Sequence, residues 1–478
     1  MRTHSGTQHK RSGLTARVLS AMGAFGGTQL LNILCSVIRA KLVALWIGPA
    51  GVGLNALLNS SSELVSRATQ LSLRESAVRE LAAADEERAA LLGGAVLRWG
   101  WILGLIGSAI MLLGARSLSL ITFGTDSYTL EFAVLCPVPL FTAIGSANFS
   151  IIQGSGRYAA IARAMAVAVC SSTVIAVPLL YWLRLQAIPP VIVLFSIMVA
   201  VMSGYYRRRH NSSLSWNGSF RSLWAETSGM FRIGIYLTGA SAAVTLSTYL
   251  FSSYINRIAD TDTVGFYQAG FTLVNTYVGL IFSSLAMEYY PRLSKYIHSP
   301  RHTSVIVSHQ IILLTWVVSL LVVLFLVFDK LAVNILYRSD FETALPFINL
   351  GIASVVPRCV SYCFSYYLLA AGKGRTFMLL DIGSTALGLT LNLIGFTWGG
   401  FTGLGLSYVL WYLIYALATW LIFRHYGLST ATGTSAVIFL GLAIAFSAVA
   451  VKYFMGPLWC AALFLPWLLP LVYKKLRR

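Results

Sequence analysis

The sequence predicts an all-α protein that crosses a membrane about fourteen times, and three observations support this. Hydrophobic residues make up 57% of the 478 positions and charged residues only 11%, with a mean hydropathy of +0.74, whereas roughly 25% of an average soluble domain is charged. Apolar stretches near the length that a membrane-spanning helix needs recur along the chain. Basic residues fall in short runs between these stretches, as in other membrane proteins.

The predicted spans follow the apolar stretches in order. They are residues 18–45, 51–75, 90–114, 128–153, 158–183, 187–206, 230–255, 264–290, 304–328, 343–371, 376–397, 401–423, 434–451 and 456–473. Lys and Arg concentrate in every second interval, so the positive-inside rule predicts cytoplasmic N- and C-termini. The net charge of +19 is explained by these flanking runs, and we expect no nucleic-acid partner.

One polar segment divides the chain into two similar sets of spans. Residues 207–229 are basic and rich in Ser and Asn, and they predict a cytoplasmic linker between six-helix bundles at 18–206 and 230–425. Residues 1–17 form a basic cytoplasmic tail, and residues 426–478 add two spans and a second basic tail.

The two predicted bundles carry an internal repeat. Pro139 precedes a G-x-G-R sequence at 154–157, and Pro357 precedes another at 372–375, all at an offset of 218. Repeated halves of six spans would be parallel, and a cavity between them is the usual place for a substrate. The glycines favour tight turns and the arginines headgroup anchoring over direct substrate contact.

The second span has a polar stripe that lipid would not tolerate. On a helix, Asn59, Glu63, Arg67, Gln70 and Arg74 fall within an arc of about 80°. An arginine near the bilayer centre costs roughly 2.5–3.5 kcal/mol on insertion scales, so these groups must face water, a ligand or a partner. A Glu63–Arg67 ion pair that only joins helices is the structural alternative.

Other spans also carry charged or amide side chains, and we group them by sign. The basic set predicts a cationic lumen that binds a phosphate-bearing substrate, because guanidinium groups bind phosphate bidentately. It comprises Arg39, Lys41, Arg67, Arg74, Arg257 and Arg358. The remaining set would line the lumen or bind a coupling ion, and a structural ion pair is the alternative for its acids. It comprises Glu63, Asp381, Asn32, Gln70 and Asn275.

Enzymatic and metal chemistry find little support in the sequence. The six cysteines lie inside apolar segments without a CxxC motif, and the seven histidines lack a ligand cluster. No Walker A, HExxH or nucleophile motif is present. We therefore expect no metal, no cofactor and no catalytic activity.

Several motifs resemble one transporter family. They are residues 47–53 (IGPAGVG), 73–79 (LRESAVR), 291–294 (PRLS) and the paired G-x-G-R turns. The chain resembles the polysaccharide transporter, or oligosaccharide flippase, family of the multidrug/oligosaccharidyl-lipid/polysaccharide (MOP) exporter superfamily over about residues 18–425, and the O-antigen type in particular.

The resemblance implies an architecture, a function and partners. It implies two six-helix bundles in a V around a central cavity, and alternating access that moves an undecaprenyl-pyrophosphate-linked oligosaccharide to the periplasmic leaflet of a bacterial inner membrane. The lipid-linked oligosaccharide, membrane lipids and a glycan polymerase or chain-length regulator are the expected partners of a monomer.

Two other functions stay open at this point. A cation-coupled multidrug antiporter of the same superfamily would share the fold, but acids should dominate its lumen. A membrane glycan polymerase or ligase would need a large outer loop with catalytic residues, and no predicted outer loop exceeds about fifteen residues.

Overall fold

A computed structural model describes residues 31–210 and 220–460, and within them the chain is helical and contains no strand. The predicted all-α, multi-pass membrane fold is confirmed. The tail at 1–17, the centre of the predicted linker, and most of the last predicted span lie outside the described residues. Two compact units divide between Asp260 and Thr261.

The first unit contains ten described helices within residues 31–260, and a short 3-10 helix connects α8 to α9. The helices are α1 (31–46), α2 (Pro49–Gln70), α3 (Leu73–Ala83), α4 (Glu86–Leu113), α5 (Ala115–Phe123), α6 (Thr129–Val134), α7 (Pro137–Gly154), α8 (Tyr158–Leu183), α9 (Ile188–His210) and α10 (Phe220–Ile258). Their core includes the fully or almost fully buried Leu58, Met111, Phe132, Leu135 and Ile188.

Close packing of α4 on α7 relies on small residues. A Cβ at Gly100 would lie 2.9 Å from the Cβ of Ala147, and a Cβ at Gly104 would lie 2.9 Å from the Cα of Leu140. Small residues allow this approach between membrane helices. The packing fixes the position of α7, which carries part of the site described below.

The second predicted span is not one continuous helix. Residues 51–75 were predicted as a single span, but α2 ends at Gln70, and Leu71 and Ser72 are left-handed with φ of 47° and 46°. The Ser72 hydroxyl accepts a hydrogen bond from Thr238 of α10 at 3.0 Å. This contact with another helix stabilises the break. Arg74 therefore lies on α3, not on the same helix as Arg67.

The second unit begins at Thr261 and contains eight described helices. They are α11 (Thr261–Phe271), α12 (Val278–Lys295), α13 (Pro300–Leu336), α14 (Leu345–Ala353), α15 (Val355–Ala370), α16 (Gly374–His425), α17 (Thr434–Met455) and α18 (Pro457–Cys460). A π-helical turn, Thr272–Tyr277, joins α11 to α12. Aromatic side chains supply much of the core, including the buried Tyr267, Phe347 and Phe364.

Two long helical segments each contain a reversal of the chain direction. The helical angles of α16 break at Gly399 and Gly400, and the Ser407 hydroxyl then donates to Asn392 at 2.8 Å, so its two parts are antiparallel neighbours. Residues 158–210 similarly contain α8 and α9, which pack together on either side of their 3-10 connection.

Six helical segments within the described residues are long and apolar enough to cross a membrane, or seven if α14 and α15, bent by 41°, form one span. Two of these segments, residues 158–210 and α16, each contain a reversal of the chain. Helix α2 is not among them because its polar stripe makes it less apolar. The number of fourteen spans stays a prediction.

The two G-x-G-R sequences are not in structural register. Both belong to helix C-terminal turns, but the left-handed glycines are Gly156, with φ +71°, and Gly372, with φ +70°. In each turn the next amide, of Arg157 or Lys373, donates to a carbonyl five residues back, as in a Schellman motif. The two turn glycines are therefore separated by two residues fewer than the matching G-x-G-R sequences. The hydrogen bonds, and not the matching residues, define where each turn lies.

The boundary between units also differs from the predicted linker. The helix α10 packs against α2, α3, α4 and α5, so the contacts place it in the first unit, whereas the sequence placed residues from 230 onward in the second bundle. The predicted domain limits, and a V of two bundles around a central cavity, stay predictions.

Candidate functional site

A polar cavity of about 360 Å³ lies within the first unit. Its walls come from α2, α3, α7, α9 and α10 and from the break after α2. The lining residues are Asn59, Ser62, Glu63, Ser66, Arg67, Gln70, Ser72, Arg74, Glu75, Val138, Thr142, Ser146, Ile192, Phe195, Ser196 and Ser241. The stripe predicted on the second span therefore lines a cavity, as its periodicity suggested.

Arg67 and Glu63 form an ion pair on the cavity wall. The Nε and Nη2 atoms of Arg67 both lie 2.8 Å from Oε1 of Glu63, one turn earlier on α2. The two side chains are 46% and 52% exposed, so both remain accessible from the cavity. The pair thus does not bury the guanidinium group.

Gln70 and Arg74 are positioned by α7. The amide of Gln70 donates to the Thr142 hydroxyl at 3.0 Å. Arg74 donates to the side-chain oxygen of Gln153 at 3.4 Å, and its Cζ lies 5.6 Å from the centre of the Phe149 ring. The break between α2 and α3 turns Arg74 toward these partners while keeping it on the cavity lining.

Arg39 borders the polar cavity through an aromatic ring. Its Cζ lies 4.9 Å from the centre of Phe195 of α9, and Phe195 lines the cavity. This distance is within the range of a cation–π contact. Arg39 is half-buried and adds positive charge beside the lining.

The described lining contains as many carboxylates as guanidinium groups. Arg67 and Arg74 share the lining with Glu63 and Glu75, and the sequence had not singled out Glu75 as a site residue. Serine hydroxyls and the amides of Asn59 and Gln70 complete the polar wall. Such a cavity offers hydrogen-bond donors to an anion and carboxylates that compete with it.

Arg358 lies in the second unit, where it contacts Asn275. Its Nη1 donates to Oδ1 of Asn275 at 2.9 Å. Its Cζ lies 5.2 Å from the ring centre of Tyr412 and 5.6 Å from that of Phe282. The sequence selected Arg358 and Asn275 separately, and the structure pairs them. The surrounding aromatic residues were not predicted, because they come from other helices.

Besides Arg39, Arg358 and Asn275, four more predicted residues lie outside the described lining of the polar cavity. Arg257 is exposed and donates to the carbonyl of Leu120 at 2.5 Å, near the C-terminal end of α5. Asn32 and Lys41 are half-buried on α1, and Asp381 is half-buried on α16 of the second unit. Their predicted roles in substrate binding or ion coupling stay predictions.

A buried charge cluster in the second unit was missed by the sequence analysis. Lys452 of α17 donates to Asp329 of α13, and it also contacts Oδ1 of Asn349 at 3.2 Å. The Lys452 and Asp329 side chains are only 11% and 2% exposed. Lys452 follows the predicted span 434–451, and the 123 residues that separate it from Asp329 along the chain gave no signal of the contact.

The described residues offer no clear metal site. Among them, no three His, Cys, Asp or Glu side chains lie together in a way that could hold a metal ion. The polar cavity offers a ligand charged groups and hydrogen-bonding groups.

Comparison with known proteins first defines the class. A family model described as "Polysaccharide biosynthesis protein" matches residues 15–297, more than half of the chain. The chain belongs to this polysaccharide biosynthesis protein family, and the resemblance predicted from the sequence is confirmed. A search of curated proteins finds no match.

Solved structures of MOP-type transporters share the fold. An inward-facing multidrug resistance MATE family transporter of the MOP superfamily is 15% identical, with a TM-score of 0.70 over 86% of this chain and 95% of the other. The lipid II flippase MurJ, in an inward closed conformation, is 11% identical, with a TM-score of 0.68 over 96% and 100%.

A third solved structure shares the fold. It is a MOP superfamily transporter from Pyrococcus furiosus with a binding pocket described as having reverse polarity. It is 15% identical, with a TM-score of 0.59 over 87% of this chain and 96% of the other. At these identities the likeness defines the fold, which is that of the MOP superfamily.

Proposed function

We propose that this membrane protein is a flippase that moves an undecaprenyl-pyrophosphate-linked oligosaccharide from the cytoplasmic to the periplasmic leaflet of a bacterial inner membrane. Its family acts in polysaccharide biosynthesis, and its fold is shared with transporters. The observation that carries the proposal is the pair of accessible guanidinium groups, Arg67 and Arg74, on a polar cavity.

The pyrophosphate would bind in the polar cavity of the first unit. Arg67 and Arg74 would supply charge-assisted hydrogen bonds to its oxygens, and the amide of Gln70 and the serine hydroxyls would supply neutral ones. The polyprenyl chain would remain in hydrocarbon. Arg39, beside Phe195, would strengthen the positive potential without contacting the headgroup.

The ion pair with Glu63 is weak enough to exchange for a substrate. An exposed i, i+4 pair contributes about 0.3–0.5 kcal/mol, so the loss of the contact with Glu63 costs little. A pyrophosphate carries more negative charge and more acceptor oxygens than one carboxylate, so it would compete with Glu63 for Arg67. Without substrate, Glu63 would fix the orientation of the Arg67 side chain. The headgroup would displace Glu63 when it binds.

The membrane potential would drive the outward movement. Moving one charge across 100 mV changes its energy by about 2.3 kcal/mol, so two negative charges leaving an inside-negative cell gain roughly 5 kcal/mol. The cavity need only lower the barrier, and opening to alternate sides would release the headgroup.

Binding to purified protein tests the headgroup site. We expect Arg67→Ala in lipid nanodiscs to bind undecaprenyl pyrophosphate at least about tenfold more weakly than wild type, because one charge-assisted contact is worth more than about 1.4 kcal/mol. Microscale thermophoresis with a short-chain polyprenyl pyrophosphate would measure it.

Arg157→Ala is the matched control for this experiment. Arg157 lies outside the cavity lining and donates to the His210 carbonyl at 2.6 Å, so its loss should leave binding unchanged. Equal affinities of wild type and Arg67→Ala would contradict the proposed headgroup site.

A cation-coupled multidrug antiporter is the second candidate. The carboxylates of Glu63 and Glu75 on the cavity favour it, since they would attract a cationic substrate. Tight binding of a cationic dye that Glu63→Gln abolishes, without any pyrophosphate binding, would support the antiporter over the flippase.

A further inference from the structure

The polar cavity of the first unit carries hydrogen-bond acceptors that a pyrophosphate cannot use. Its guanidinium groups belong to Arg67 and Arg74, and its carboxylates belong to Glu63 and Glu75. An ionised pyrophosphate has only acceptor oxygens, so it can bind the guanidinium groups but has no donor to offer a carboxylate. The carboxylates on the lining therefore fit a second kind of ligand group, one that donates hydrogen bonds.

Glu75 is the carboxylate on this lining that is not in an ion pair. Glu63 is already bound to Arg67 through its Oε1 atom. Glu75 is exposed, and no hydrogen bond or ion pair engages its carboxylate within the part of the chain that the structure describes. Arg74, its neighbour in sequence, is close enough to interact with its charge but donates to Gln153. The Glu75 oxygens are thus available to a ligand.

A helix cap would be the structural role for Glu75. Residues 72–75, Ser-Leu-Arg-Glu, have the spacing of a capping box, in which the serine and glutamate side chains each bond the other residue's backbone N–H. Ser72 is left-handed, with φ 46°, and its side chain makes no capping hydrogen bond. The Ser72 hydroxyl instead accepts from Thr238. The capping box is therefore not formed, and Glu75 remains on the cavity lining.

Two side-chain amides add further acceptors to the same lining. The Gln70 nitrogen donates to the Thr142 hydroxyl at 3.0 Å. The Asn59 nitrogen donates to the backbone carbonyl and to Oδ1 of Asn55, at 2.8 Å and 2.9 Å. In both amides a partner in the protein engages the nitrogen, which leaves the oxygen to accept a hydrogen bond from a ligand.

The cavity also has room for more than a pyrophosphate. Its volume of about 360 Å³ lies in the range of roughly 300–1,000 Å³ that is typical of sites for drug-sized ligands, which are larger than a pyrophosphate group. In a lipid-linked oligosaccharide, a sugar residue is joined directly to the pyrophosphate. Its hydroxyl groups are hydrogen-bond donors of the kind that the unused acceptors fit.

We propose that Glu75 binds hydroxyl groups of the sugar residue that is joined to the pyrophosphate. This inference rests on the proposed function and extends its site from the headgroup to the first sugar. A hydroxyl that donates to a carboxylate makes a charge-assisted hydrogen bond. A carrier lipid without a sugar would leave Glu75 beside the phosphates with no donor between the negative charges. The cavity would therefore discriminate against the bare carrier lipid.

Affinities for three matched lipids test this discrimination. The probes are a short-chain polyprenyl pyrophosphate, the same lipid carrying one glucose, and the same lipid carrying a glucose with methylated hydroxyl groups. Microscale thermophoresis of the wild-type protein in nanodiscs measures each. We expect the glucosyl lipid to bind about tenfold more tightly than the other two, because the methylated sugar has similar bulk but no donors.

Variants of α3 assign the preference to one carboxylate. Glu75→Ala should bind the three lipids with nearly equal affinity, and its affinity for the bare lipid should be no weaker than that of wild type. Glu75→Gln should keep part of the preference, since a neutral carbonyl still accepts a hydrogen bond. Glu80→Ala is the matched control on the same helix, outside the cavity lining, and should keep the full preference.

The outcomes separate this inference from the proposed function. Equal binding of the three lipids by wild type, or a full preference in Glu75→Ala, would overturn the sugar contact while Arg67-dependent headgroup binding persists. A role of Glu75 in helix stability alone would weaken all three lipids alike and would also overturn it. Failure of wild type to bind any pyrophosphate lipid would instead contradict the proposed function. If Glu75→Ala does not fold, the preference in Glu75→Gln decides the question.

Discussion

Arg67 and Arg358 both belong to predicted membrane spans, but their surroundings in the structure differ. Arg67 is paired with a carboxylate that a ligand can displace, and both side chains remain about half exposed. Arg358 is bound to a neutral amide and lies near two aromatic rings. Its charge is therefore not neutralised by a described ion pair, and a nearby anion would meet a full positive charge.

We predict that Arg358→Ala abolishes export of the surface glycan while the protein remains inserted at normal levels. Arg358→Lys should restore only part of the export, because an ammonium group cannot reproduce a planar guanidinium against aromatic rings. Glycan immunoblots of complemented cells, beside membrane protein levels, measure this. Export at the wild-type level in Arg358→Ala would show that the charge is dispensable.

Residue periodicity predicted part of the site and could not predict the rest. The spacing of Asn59, Glu63, Arg67 and Gln70 placed them on one face, and the structure puts that face on the polar cavity. The wall also contains Thr142 and Phe195, which come from helices distant in sequence. Contacts of this kind cannot be predicted from a single sequence. Glu75 lies on α3, after the break that ends α2, and nothing in the sequence indicated that break.

Helices α13 and α17 are joined by a buried ion pair next to a bend. Asp329 directly follows the non-helical Phe328, and Lys452 reaches it from the last turn of α17. Removing one member of a buried pair typically costs about 3–5 kcal/mol, whereas apolar replacement of both is often neutral. The pair thus fixes α17 against α13.

A double-mutant cycle tests this connection. We expect Asp329→Leu to lower the thermal unfolding temperature in detergent clearly, since it leaves the Lys452 ammonium buried without its partner carboxylate. The double variant Asp329→Leu with Lys452→Met should recover most of the loss. Lys330→Met is the control, because its pair with Glu342 is exposed on the lysine side, at 68%, and contributes about 0–1 kcal/mol. Additive losses in the double variant would argue against a coupled pair.

At the scale of elements, hydropathy predicted where helices lie but not where they break. The breaks at Leu71 and Ser72, between α14 and α15, and at Gly399 and Gly400 all fall in or next to apolar sequence. At the first of these breaks, Thr238 of α10 donates a hydrogen bond to Ser72. These contacts become visible only once the fold is known.

At the scale of the whole molecule, composition and charge distribution were sufficient to predict a multi-pass α-helical membrane protein. Family membership and the MOP fold agree with that prediction. The substrate is harder to predict from the sequence, because it depends on which few polar side chains line the cavity. The balanced lining of Arg67, Arg74, Glu63 and Glu75 therefore makes direct transport data decisive.

Transport by the purified protein is the most direct test of the flippase account. Proteoliposomes would contain a fluorescent undecaprenyl-pyrophosphate oligosaccharide, and an impermeant quencher would report movement between leaflets under an imposed potential. We predict flipping by wild type and Arg157→Ala, acceleration when the starting side is negative, and little flipping by Arg67→Ala. Equal rates in Arg67→Ala and wild type, or no flipping above protein-free vesicles, would contradict the account.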